Sequence, residues 1–183
     1  MGGVDKGLQP HLGVPLALQA IRRLAPQVGT VMLSANSHLD QYAAFDVPVW
    51  PDATDERPGP LAGFLSGLEH CTTPYLVTVP CDAPNFPTDL VARLAAGLTA
   101  QQTSIAMAAT RGPHGLQAQP VFCLMRSDVK DQLLAYLRSG QRQAERWVTQ
   151  QPCATVLFDD AEAFANANTP QELHQLQQRA TSL

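Results

Sequence analysis

The sequence predicts an α/β protein, a single domain over residues 1–183 whose mainly parallel sheet is flanked by helices. Three observations predict it. Short apolar runs rich in β-branched residues alternate with longer segments of helical period. Polar residues follow directly after several of those runs, at the edge where open α/β sheets bind ligands. A chain of 183 residues that is 45% hydrophobic and 15% charged can bury a substantial core without disulfides or a structural metal.

Taken in order, Leu16 to Leu24 is predicted to be the first helix and Val28 to Ser34 a strand. A short helix over Leu39 to Ala44 leads to a strand at Val47 to Trp50, which ends at Pro51-Asp52. The Pro58-Gly59-Pro60 loop opens an apolar helical segment over Leu61 to Leu68, whose small residues permit close approach. Tyr75 to Val79 is the most strand-like run, and it delivers Asp82 to the carboxyl end of what reads as a buried strand. A helix over Thr88 to Ala100 follows, with Thr88 as its predicted cap and Asp89 in its first turn. Ile105 to Ala109 reads as a strand, residues 112–115 as a turn, and Pro120 to Met125 as a strand near an edge because proline opens it. Helices over Asp128 to Arg138, Ala144 to Gln150 and Pro170 to Arg179 enclose one more strand at Thr155 to Phe158.

Charge and cysteine usage narrow the function. A net charge of −4 and a pI near 5.6 argue against polymeric nucleic acid as a partner, while leaving room for a local basic site that binds one small anion. Cys71, Cys81, Cys123 and Cys153 have no CxxC spacing and no zinc-finger histidines, so they read as reduced thiols. No apolar run approaches the ~20 residues that span a bilayer and no signal peptide opens the chain, which points to the cytoplasm and away from the membrane.

The opening Gly2-Gly3-Val4-Asp5-Lys6-Gly7 has the make-up of a nucleotide loop. Gly2 and Gly3 let the backbone approach a phosphate chain, and Lys6 can neutralise it. Together with Ser34-Ala35-Asn36, Pro51-Asp52, Pro58-Gly59-Pro60-Leu61-Ala62-Gly63, Pro80-Cys81-Asp82-Ala83-Pro84, Gln119-Pro120-Val121 and Asn166-Ala167-Asn168-Thr169-Pro170, this segment resembles the bacterial molybdenum cofactor guanylyltransferases. These are nucleotidyltransferases built on a Rossmann-like sheet, and the resemblance spans essentially the whole chain.

The resemblance implies transfer of GMP from GTP to the molybdenum–molybdopterin cofactor with release of pyrophosphate, using Mg²⁺. It implies that Asp82 binds the metal, that Lys6 meets the triphosphate, and that Asp52 reads the guanine edge. Ser34 and Asn36 would bond the base or ribose, Gly63 would shape the base pocket, and Asn166 and Asn168 would contact the second substrate. Molybdoenzyme chaperones or other cofactor-assembly proteins are the implied partners. The family pattern also carries an apolar strand and a Leu-Ala-Gly-Gly turn ahead of the residues matched by Met1-Gly2-Gly3, so the expected domain is truncated at its N-terminus relative to the pattern. One competing reading is therefore a non-catalytic nucleotide-binding remnant or partner protein. Another is a related nucleotidyltransferase with a different phosphorylated substrate.

Overall fold

The computed structural model describes residues 5–52, 59–113 and 115–167. Gly2, Gly3, Pro58, His114, Asn168 and the helix expected over 170–179 lie outside them. After a one-turn helix at Lys6–Leu8, the short strands β1 (Pro10–His11) and β2 (Val14–Pro15) form a hairpin that leads into α1 (Leu16–Leu24). Next come β3 (Leu33–Ser34), α2 (Leu39–Ala43), β4 (Val49–Trp50), α3 (Pro60–His70), β5 (Tyr75–Thr78) and α4 (Leu90–Gln101). The chain continues through β6 (Ile105–Gly112), β7 (Gly115–Arg126), α5 (Lys130–Arg138), α6 (Ala144–Thr149) and β8 (Cys153–Phe158).

The main sheet has the order β5-β7-β6-β8, and its alternating side chains explain why helices cover both faces. Ala106, Ala108, Phe122 and Leu124 join Leu90, Leu94 and Leu98 of α4 in one core. The intervening Ile105, Met107, Cys123 and Met125 join Leu61, Phe64, Leu65 and Leu68 of α3, Leu133 and Leu137 of α5, and Trp147 of α6 in the other. The strands of this sheet thus supply both cores by their period of two, and α3, α4, α5 and α6 each supply one by an apolar stripe.

Pairing makes the sheet mixed. β6 and β8 run parallel, as do β3 and β4, while β7 is antiparallel to both β5 and β6. The strand that opens at Pro120 was expected near an edge, yet β7 is central and begins at Gly115. A register break between Met107 and Ala108 resolves the conflict. Met107 faces Cys123 and Ala108 faces Gln119, so Pro120 sits in a bulge where no ladder N–H is needed. β5 in turn is an edge strand with Tyr75 exposed, so Asp82 follows an edge strand and not a fully covered one. The cap expected of Thr88 also shifts: Asp89 holds the N-cap position of α4 and makes no side-chain cap bond.

The strand predicted over Val28 to Ser34 forms a ladder only at Leu33 and Ser34, against Val49 and Trp50. Val28 to Met32 instead face Tyr75 to Val77 across an apolar slot of about 410 Å³. The slot continues toward Ser34 and Cys81 as a cleft of about 200 Å³. An extended run becomes a ladder only where a neighbour completes its hydrogen bonds, which propensity cannot supply. Among the described residues no helix is long and apolar enough to cross a membrane.

Candidate functional site

Ser34 and Cys81 line the cleft, and a polar group lies beside each of them. At the Ser34 end, the parallel pairing of β3 with β4 sets Ser34 beside Trp50, so the residues that follow each strand meet. Ser34 Oγ donates to Asp52 Oδ1 at 2.9 Å, and Asn36 Nδ2 donates to Asp52 Oδ2 at 2.6 Å. The Asp52 backbone N–H returns a bond to Asn36 Oδ1 at 2.8 Å. Ser34 and Asn36 were expected to bond the base or ribose themselves. In the structure they orient the Asp52 carboxylate, which keeps further lone pairs for a planar donor edge. Gly63 of α3 lies against this end, and a Cβ there would stand 3.7 Å from Ser34 Oγ. Its missing side chain keeps the space above Ser34 open.

At the other end, the chain after β5 carries Asp82 to the Lys6 ammonium, with Nζ 3.3 Å from Oδ2. The Asp82 side chain is 13% exposed and that of Lys6 41%, so the carboxylate is largely covered and the ammonium reaches it from a partly exposed position. Among the described residues, Lys6 is the one side chain bonded to the Asp82 carboxylate. The Ala167 N–H donates to the Asp82 carbonyl at 2.8 Å, which brings the exposed Asn166 beside the same strand end. Arg111 is exposed on the β6–β7 hairpin. Trp147 is wholly buried in the core, whereas Trp50 lines the cleft and stacks on His70 with ring centroids 3.8 Å apart.

Burial, reinforced by the negative charges of Asp82 and Asp5, pushes the Cys81 thiol up to about 12. Cys81 is therefore a neutral wall beside Asp82 and not a nucleophile. The four cysteines are all free thiols.

Sequence reasoning passed over Asp5. Its Oδ1 accepts the Gly7 N–H at 3.1 Å and the Tyr42 hydroxyl at 2.5 Å. Its Oδ2 accepts the Ser37 hydroxyl at 3.2 Å and lies 3.3 Å from His38 Nδ1. Burial first, then the bond and charge of Asp5, drive the Tyr42 phenol far above its ordinary value, so it stays a donor. The only sequence signal was adjacency to Lys6, because residues 5 and 42 show no common spacing.

Comparison with known proteins fits this arrangement. A model of the MobA-like NTP transferase domain matches residues 1–156. A molybdenum cofactor guanylyltransferase of Bordetella pertussis is 59% identical over 177 residues, which are 97% of this chain and 90% of that protein. The chain belongs to the molybdenum cofactor guanylyltransferase family. A second member, from Methylibium petroleiphilum, is 53% identical over 97% of this chain and 89% of its own length. Among solved structures, molybdopterin-guanine dinucleotide biosynthesis protein A from Archaeoglobus fulgidus superimposes with a TM-score of 0.81 at 15% identity, covering 99% of this chain and 93% of that one. The 2-C-methyl-D-erythritol 4-phosphate cytidylyltransferase of Thermus thermophilus gives 0.79 at 16% identity, covering 96% and 94%. These two distant likenesses establish the shared nucleotidyltransferase fold, and family membership makes the chain a nucleotidyltransferase.

Proposed function

We propose that this enzyme transfers GMP from GTP to the terminal phosphate of molybdenum-bound molybdopterin, forming the guanine dinucleotide cofactor and releasing pyrophosphate. The observation that carries this reading is a cleft lined by Cys81, next to the Lys6–Asp82 pair, and by Ser34, which with Asn36 orients the Asp52 carboxylate. One end suits a triphosphate and the other a guanine edge with its two adjacent N–H donors. A phosphate oxygen of the second substrate attacks the α-phosphorus, the bond from that phosphorus to the bridging oxygen breaks, and pyrophosphate leaves with the bond pair. That oxygen is already anionic, so no side chain need remove a proton, and positioning with charge neutralisation carries the reaction.

Lys6 stabilises the charge that grows on the departing pyrophosphate. Asp52 accepts from the guanine amide and amino groups, and Gly63 leaves the base its space. Asn166, with Asn168 and the Gly2-Gly3 backbone, completes the reading at the second substrate and the phosphates. No group of three or more acidic, histidine or cysteine side chains forms a metal cage among the described residues. The single Asp82 carboxylate nevertheless suits Mg²⁺, which takes one or two protein carboxylates and fills its octahedron with water and substrate phosphate. When bound, Mg²⁺ would neutralise the triphosphate. The single domain, the cytoplasm, and hand-over of product to molybdoenzyme chaperones or other cofactor-assembly proteins belong to the same reading.

The test is pyrophosphate release from GTP in the presence of molybdenum-loaded molybdopterin, with and without magnesium. Release that requires both GTP and magnesium is expected. Equal release from CTP or ATP, or with a sugar phosphate replacing molybdopterin, would point to another branch of the fold.

A further inference from the structure

The Lys6 side chain is 41% exposed, yet its ammonium stands 3.3 Å from a carboxylate 76 positions away. A partly exposed lysine does not keep such an address unaided, because ordering a flexible residue costs ~1–2 kcal/mol of backbone entropy alone. One restraint among the described residues is its neighbour. Asp5 ties the loop to itself through the Gly7 N–H, and to the segment that begins α2 through Ser37, His38 and Tyr42. Tyr42 is 4% exposed and forms the rigid part of this anchor. Its hydroxyl would stand 2.4 Å from a Cβ at position 7, so only glycine lets loop and phenol close to this distance. Ser37 and His38 directly follow Asn36, which orients Asp52. One short segment thus holds the base-facing carboxylate and anchors the phosphate-facing lysine.

We propose that Asp5 is a positioning residue that sets Lys6 against the triphosphate by fastening the loop to Ser37, His38 and Tyr42. It touches neither substrate and acts through Lys6, so the inference rests on the reading of Lys6 given above. The ligand whose binding it governs is the triphosphate, not the base.

A double-variant cycle read by equilibrium binding of GTP with magnesium tests it without depending on turnover. Asp5→Ala and Lys6→Ala are each expected to weaken GTP about 10-fold, the loss that accompanies removal of one charge-assisted contact. The double variant should bind within about 2-fold of Lys6→Ala, because a group acting through Lys6 has nothing left to position. Asp5→Asn keeps an acceptor for Gly7 and Tyr42 and should restore binding to within about 3-fold. Guanosine, which lacks phosphates, should bind Asp5→Ala and the parent equally. Losses that multiply to about 100-fold in the double variant would overturn the coupling while leaving the role of Lys6 intact. An unaffected Lys6→Ala would overturn both. A guanosine affinity that falls as far as that of GTP would show that Asp5 merely holds the fold.

Discussion

The two ends of the cleft are built differently. The end proposed to meet the base comes from one β–α–β unit, with Ser34 and Asn36 only 18 and 16 positions from the Asp52 they orient. The end proposed to meet the phosphates joins Lys6 to Asp82 across 76 positions and draws Asn166 in through the bond from Ala167 to the Asp82 carbonyl. A site made within one supersecondary unit depends on a single strand pairing, here Leu33 to Val49 and Ser34 to Trp50. A site made between units depends on the whole domain, and so is the more sensitive to anything that shifts a layer.

Removing a carboxylate at each end separates their roles. Asp82→Ala should lower turnover on the order of 1000-fold, since it takes away the carboxylate that pairs with Lys6 where the triphosphate is proposed to bind, while circular dichroism and thermal midpoint stay near the parent. Turnover retained at ordinary magnesium would remove Asp82 from the chemistry and leave the base end as the part that matters. Asp52→Ala should reduce the preference for GTP over ATP by about 10- to 100-fold, the worth of hydrogen bonds to a charged acceptor, with a smaller effect on turnover at saturating GTP. Comparing kcat/KM for the two nucleotides measures it. Unchanged discrimination would mean that the oriented carboxylate reads something other than the base.

The smallest effect concerns pH. Cys81 is held protonated up to about 12 and Cys153 up to about 11, chiefly by burial, and the buried Cys123 is shifted the same way. The unfolded thiols lose their protons near pH 9 while the folded ones keep them, so from there upward the unfolded state binds fewer protons and stability falls as pH rises. Denaturant unfolding between pH 9 and 12 should show this decline, and Cys81→Ser should flatten it in part. A slope identical in the variant would mean that the thiol beside Asp82 contributes nothing, and that the phosphate end is no more alkali-sensitive than the base end.

Most elements were legible because they are local. The helices at Leu16–Leu24, Pro60–His70 and Lys130–Arg138 declare themselves by apolar period, and the turn at 112–115 by glycine and proline. Asp52 and Asp82 were legible as site candidates because each follows a strand-like run, and their proposed roles came from the resemblance to the family. Less legible was how they are used. Ser34 and Asn36 read as ligands of the base or ribose, and their bonds to Asp52 are a contact the sequence did not disclose. Asp5 was hidden because Ser37, His38 and Tyr42 reach it only after folding.

The sequence by itself determined which segments extend, which coil into helices and which faces are apolar, since these follow from side-chain period and local backbone preference. Tertiary structure decided which extended segments became ladders and in what direction. It placed a proline-bearing strand at the centre of the sheet through a bulge, and it left Val28 to Met32 facing an apolar slot instead of a paired strand. Hydrogen-bond partners and long-range ion pairs depend on neighbours distant in the chain, and no local pattern encodes where those neighbours arrive.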